Sequence, residues 1–145
     1  MKWDLASIDD LKRYNGLKNS LKSIRERIEL LNYEFTSVGS PQLDRVPTRE
    51  GGNKMEDFII SNISERERLN ILYNVNKKMC GIIGRGLRGL PDGERRILEI
   101  CYIENRRGGA ESAMEELNIE RSEFYRLRDR ALRSFTVNMF GICEM

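Results

Sequence analysis

The chain has 145 residues, 39% of them apolar and 33% charged, with a net charge of +2. That length suits one domain, or one small domain with an extended element, and the polar balance suits long helices with one buried stripe. The near-neutral total excludes any inference from bulk charge to a polyanionic partner, so only the distribution of charge can speak.

Histidine is absent, which removes the commonest general base and metal ligand. Cys80, Cys101 and Cys143 are scattered and form no zinc spacing, so they read as reduced thiols and no metal or cofactor is expected. The opening "MKWDLASIDD" has neither the apolar core nor the cleavage site of a signal peptide. No apolar run approaches the roughly 20 residues of a membrane span. The expectation is a soluble, cytoplasmic protein with no membrane partner.

The first predicted element is a long helix from about Ile8 to Phe35, with Ser7 or Asp9 as its N-cap. Tyr14, Leu17, Leu21, Ile24, Ile28, Leu31 and Phe35 alternate at spacings of three and four, which makes a heptad seam. Its other positions mix Lys, Arg and Glu. "TSVGSPQLDRVPTREGGNK", Thr36 to Lys54, follows, with Pro41, Pro47 and three glycines. It interrupts the helix. Val38, Leu43 and Val46 suggest that it packs on something; the alternative is a flexible linker.

A second helix is predicted from about Met55 to Ile83, with Phe58, Ile59, Ile63, Leu69, Leu72, Val75, Met79 and Ile83 as its apolar stripe. The two helices would fold back as an antiparallel hairpin or pair with a second chain. "GIIGRGLRGL", Gly81 to Leu90, has four glycines. Each costs a helix interior about 1 kcal/mol relative to alanine, so this stretch reads as a boundary. No strand precedes it and no GKS or GKT follows, so it does not read as a phosphate loop. The predicted organisation is all-α. Residues 1–84 form a helical hairpin with its loop at 36–54, and residues 85–145 form a C-terminal module.

That module opens at Pro91 and Asp92, both favourable helix starts. Ile97, Leu98, Ile100 and Cys101 form a short buried face, with Tyr102 and Ile103 near its end, and "NRRGG" terminates it. Residues 110–119 make a short helix with Ala113, Met114 and Leu117 inward. Asn118 suits a left-handed turn, and Ile119 plugs it. The last helix runs from about Arg121 to Phe135 or slightly beyond, with Phe124, Leu127, Ala131, Leu132 and Phe135 inward.

A short helix, a turn and a longer helix make a helix-turn-helix. Glu111, Glu115, Glu116 and Glu120 sit on its first helix and turn, whereas Arg121, Arg126, Arg128, Arg130 and Arg133 sit on its second. Arginine pairs bidentately with guanine and binds phosphate, so the charge pattern points to double-stranded DNA. The alternative is a surface helix laced by intrahelical pairs, for which Glu123 with Arg126 and Asp129 with Arg133 have the spacing.

"LPDGERRILEICYIE" with "AMEELNIERSEFYRLRDRALRSF" resembles region 4 of sigma-70-type factors, the module that reads the promoter −35 element. The resemblance rests on the "ER" of "GERRIL" and on Phe124, Leu127, Ala131 with Leu132, and Phe135. It departs at Ala113–Met114, where the sizes are reversed, and at "NRRGG", where the family has a polar loop ending in Ser or Thr. With the coiled first half and the linker residues Asp44, Arg45, Val46, Lys54 and Met55, the chain is similar to phage and prophage late-gene regulators of the RinA and ArpU type. Nothing resembles sigma region 2, so a complete sigma factor is not expected.

By position, the resemblance implies base contacts from Arg121, Ser122, Tyr125 and Arg126, and phosphate contacts from Arg128, Arg130 and Arg133. Arg106 and Arg107 would touch phosphate or be solvated. The implied function is a sequence-specific transcriptional regulator, an activator of phage late genes. Its N-terminal helices would make a homo-oligomer, a dimer, or contact RNA polymerase. The alternatives are a small terminase-like packaging protein and a coiled-coil interaction module. No enzyme is expected, since no nucleophile motif or carboxylate dyad accompanies the missing histidine.

Overall fold

The structure is a computed structural model that describes residues 2–39 and 49–142, the side chains of 38, 39 and 49–53 excepted. It is all-α: α1 (Trp3–Gly39), α2 (Arg49–Arg88), α3 (Asp92–Leu98), a π-helical turn (Glu99–Ile103), α4 (Gly109–Leu117) and α5 (Arg121–Phe140). No helix among the described residues is long and apolar enough to cross a membrane. The expected packing of Val38, Leu43 and Val46, the linker residues Asp44 and Arg45, and Cys143 all lie outside what is described.

α1 and α2 overrun both of their expected ends, whereas α5 starts at Arg121 as expected and runs five residues past Phe135. α1 begins at Trp3, so Ser7 is not an N-cap but a buried residue inside the helix. The reason is a tertiary partner that local propensity does not show. Thr136 donates to the Leu132 carbonyl (2.7 Å) and accepts from the Ser7 hydroxyl (2.8 Å), so both buried hydroxyls are satisfied. Trp3 meets Phe140 with ring centroids 5.0 Å apart, which extends α5 past Phe135 to Phe140.

The chain divides into two compact units, Asn19–Lys77 and the combination of Met1–Lys18 with Lys78–Met145. These cuts fall elsewhere than the 84/85 boundary that the glycines suggest. In the first unit, α1 and α2 run antiparallel. Asn76 donates to Ser20 (3.0 Å), Arg25 donates to the Tyr73 hydroxyl, Arg66 donates to Asn32 (2.8 Å) and Asn62 donates to the Leu31 carbonyl (2.9 Å). Ile24 and Leu69 are buried between them, each worth about 1.5–3 kcal/mol. The heptad seam of α1 is therefore used within the chain. Buried Asn62 bonds across it, and a polar residue in such a seam fixes register. The expected stripe of α2 is only partly right. Phe58, Ile59 and Leu69 turn inward, but Ile63, Leu72 and Val75 are exposed.

The second unit holds two apolar clusters. One gathers Leu11, Ile83, Leu87, Leu90, Leu98, Ala131, Leu132 and Phe135; the other gathers Ile97, Ile100, Ala113 and Phe124. The glycine run does not end α2, which continues to Arg88. A Cβ on Gly84 would lie 3.1 Å from the Tyr14 hydroxyl, and one on Gly86 would lie 3.0 Å from a Phe135 ring carbon. Glycine permits these close crossings, and the packing offsets its poor helix propensity. Asn138 donates to the Gly86 carbonyl across the second crossing (3.1 Å).

After Pro91, α3 gives way to a π-helical turn closed by Glu104 N–H to the Glu99 carbonyl (2.7 Å). The helical face shifts there. Leu98, Tyr102 and Ile103 reach the first cluster, and Ile97, Ile100 and Cys101 reach the second. This segment thereby spans both cores and seats α4 and α5.

Candidate nucleic-acid interface

α4 stops at Asn118, which takes the left-handed conformation (φ 54°) as expected. Ile119 N–H bonds back to the Met114 carbonyl (3.0 Å) and Asn118 N–H to that of Glu115 (3.3 Å), a Schellman-type ending. The Ile119 side chain packs on the second cluster. The turn is thus fixed by backbone bonds and an apolar plug, and it leads directly into α5.

The underside of α5 is anchored along its length. Phe124 is 1% exposed, and Leu127 packs beside it on the second cluster, while Ala131, Leu132 and Phe135 enter the first. At 100° per residue, Ser122, Arg126, Asp129 and Arg133 share the opposite side, and all four are exposed. Tyr125 stands at its edge, set edge-on to Phe124 with centroids 5.2 Å apart.

Most of the arginines have acidic neighbours. Arg126 bonds Glu123 at 2.7 Å, the intrahelical pair that the spacing allowed. The hydrogen bond to Glu123 raises the Arg126 pKa, so the side chain stays cationic. Asp129 does not pair with Arg133, as its spacing allowed, but with adjacent Arg128 at 3.2 Å. The Arg128 guanidinium lies 4.9 Å from the centre of the Tyr125 ring. That stacking draws Arg128 to Asp129 and leaves Arg133 with no ion pair among the described residues. Arg121 is 3.9 Å from Glu111, and Arg130 is 3.9 Å from buried Glu94.

Ser122, Arg126 and Arg133 lie on the open side, with Tyr125 at its edge. Half-buried Arg128 stacks on Tyr125 from the flank nearer Cys101 and Tyr102, and Arg121 lies on that flank beside Glu111. Arg130 turns toward α3 through Glu94. Arg106 and Arg107 lie outside this face. Arg106 is held by Glu104 and by the Ser112 hydroxyl (3.1 Å), so it is neither free nor merely solvated.

Arg96 was not among the predicted site residues. It bonds Glu116 on α4 (2.6 and 3.0 Å), Glu99 (3.1 Å) and Glu104 (3.0 Å). These bonds raise the Arg96 pKa, with Glu116 the largest cause, and hold the Glu116 carboxyl below the usual carboxylate range. One guanidinium thus ties α3 and the π-helical turn to α4 and offsets carboxylates that would repel phosphate. The only hint was the tandem Arg95–Arg96 in "GERRIL" amid carboxylates twenty residues apart. Burial pushes the Cys80 and Cys101 thiols up, so neither is a poised thiolate.

No family model, no curated protein and no solved structure matches the chain. The functional reading therefore rests on the site itself.

Proposed function

We propose that the chain is a sequence-specific, DNA-binding transcriptional regulator whose α5 lies in the major groove of double-stranded DNA. One observation carries the reading. α5 is anchored from beneath by Phe124 and Leu127, while Ser122, Arg126 and Arg133 stay exposed on its other side. A recognition helix needs a rigid underside and a polar outer side.

In this reading Arg121, Ser122, Tyr125 and Arg126 meet base edges, and Arg128, Arg130 and Arg133 meet phosphates. The Glu123–Arg126 pair does not bar a base contact. An exposed pair on a helix surface is weak, and a bidentate arginine–guanine contact is stronger. The resemblance to sigma region 4 and to late-gene regulators of phages and prophages adds the biological setting: activation of late genes, with RNA polymerase as a second partner.

The test is selection of bound duplexes from a random library, followed by affinity measurement with Arg121→Ala and Arg126→Ala together. The expected result is one enriched motif whose advantage over random DNA falls at least about tenfold in the double variant, the scale of one lost bidentate contact. Failure to enrich any sequence, or a preference untouched by the double variant, refutes the assignment.

A further inference from the structure

The unit formed by Met1–Lys18 and Lys78–Met145 contains a cleft of about 440 Å³ that the DNA reading leaves unused. It is lined by α1, the last turns of α2, α3 and the π-helical turn. Its polar corner is built on Gly84. A Cβ there would lie 3.1 Å from the Tyr14 hydroxyl and 3.3 Å from Arg88 Nη1, so both groups meet over the bare glycine. The Lys18 ammonium lies 4.8 Å from the centre of the Tyr14 ring. The Tyr14 hydroxyl has no hydrogen-bond partner among the described residues, and neither Arg88 nor Lys18 has an ion pair among them. The end of α2 does not occupy Arg88 either. Its Arg85, Gly86 and Leu87 carbonyls are taken by Gly89 N–H, the Asn138 amide and Leu90 N–H.

We infer that this cleft binds a small phosphate monoester, with the phosphoryl group held by Tyr14, Lys18 and Arg88. A hydroxyl, an ammonium and a guanidinium are all donors, and a phosphoryl group brings three strong acceptor oxygens to meet them. A carboxylate has two and would leave one donor unused. The carboxylates that also line the cleft, Glu99 and Glu104, are already held by Arg96 at 3.1 and 3.0 Å, so their charge is offset within the protein. Leu87 and Ile103 offer an apolar surface to the organic part of the ester. The volume lies in the range of small-molecule sites, about 300–1,000 Å³. Duplex DNA is the poorer occupant, because it presents phosphodiesters, each with two free oxygens, on a convex surface that a recess does not match. The inference does not depend on DNA binding by α5.

The experiment is NMR titration of the full chain with inorganic phosphate and with phenyl phosphate at constant ionic strength, following backbone amides and arginine Nε–H signals. Saturable shifts around Tyr14, Lys18, Gly84 and Arg88 are expected with both probes. Phenyl phosphate should bind at least about tenfold tighter, because its ring covers Leu87 and Ile103. Arg88→Ala and Lys18→Ala remove exposed side chains, and Tyr14→Phe keeps the ring that packs on the larger cluster; circular dichroism checks that each folds. Arg88→Ala and Lys18→Ala should each weaken phenyl phosphate binding about tenfold, the scale of a lost charge-assisted hydrogen bond. Arg85→Ala removes an exposed arginine outside the cleft and should leave binding unchanged. No saturable shift with either probe overturns the inference. Binding that Arg88→Ala and Lys18→Ala leave intact, or that Arg85→Ala weakens equally, overturns it as diffuse ionic attraction. Equal affinity for the two probes excludes the ester. Duplex DNA that displaces phenyl phosphate, and loses as much affinity on Arg88→Ala, makes the cleft part of a nucleic-acid surface and overturns the small-ligand assignment.

Discussion

Gly16 and Gly86 both lie inside long helices, and the structure predicts opposite outcomes for the same substitution. A Cβ at Gly16 meets nothing within 4 Å. Alanine there gains only helix propensity, about 0.5–1 kcal/mol. At Gly86 a Cβ would sit 3.0 Å from Phe135 Cε2 and 3.3 Å from Met139 Sδ and Phe135 Cδ2. Phe135 is fully buried in the larger cluster and has no room to withdraw. Overpacking of this kind costs about 1–3 kcal/mol, which outweighs the propensity gain and leaves a net loss of about 1 kcal/mol. The two variants should therefore straddle the wild type. Thermal melts followed by circular dichroism should separate them by several degrees, since about 1 kcal/mol moves the midpoint of a chain this size by roughly 2–4 °C. If Gly86→Ala stabilised the protein as much as Gly16→Ala, the tight crossing of α2 with α5 would be refuted, and with it the reason given for glycines inside a helix.

Ser7→Ala would leave the Thr136 oxygen buried without its donor, and chemical denaturation should show a loss of about 1–3 kcal/mol. Burial is the largest influence on Asp10 and raises its pKa, against the opposing pull of Arg13 at 3.8 Å. A carboxyl with a raised folded-state pKa favours the folded state at low pH, and that contribution is lost as pH rises through the raised value. Asp10→Asn should thus stabilise the protein near neutral pH, and the gain should shrink as pH falls toward the ordinary aspartate range; an equal gain at every pH would contradict it. Arg133→Ala should weaken DNA binding evenly across sequences and lower the slope of log affinity against log salt by about one.

Much of the architecture was legible in periodicity. The seven apolar positions of α1 are all shielded from solvent, Ile24 fully, and residues such as Phe124, Leu127, Ala131 and Phe135 face inward because a helix puts them on one side. The left-handed turn at Asn118 was legible too, since few residues tolerate that backbone. What stayed hidden depended on contacts distant in sequence. Ser7 resembles an N-cap until Thr136, far along the chain, supplies its partner. The glycines of α2 look like a break until Tyr14 and Phe135 press against them. The exposed side of α5 could be read from spacing, but the partner of Asp129 could not, because stacking on Tyr125 decides where Arg128 lies. Arg96 was hard to read for the same reason: its strongest partner, Glu116, comes from a different helix twenty residues along the chain.

The claim on which the account turns is that α5 meets base edges in the major groove. Methylation interference on a selected duplex tests it directly, because dimethyl sulfate modifies guanine N7, an acceptor on the major-groove edge that arginine reads. Methylation at guanines within the selected motif should abolish binding by the wild type, and the interference should fade at the positions read by Arg126 when Arg126→Ala is used instead. Binding that tolerates N7 methylation throughout the motif would contradict the account.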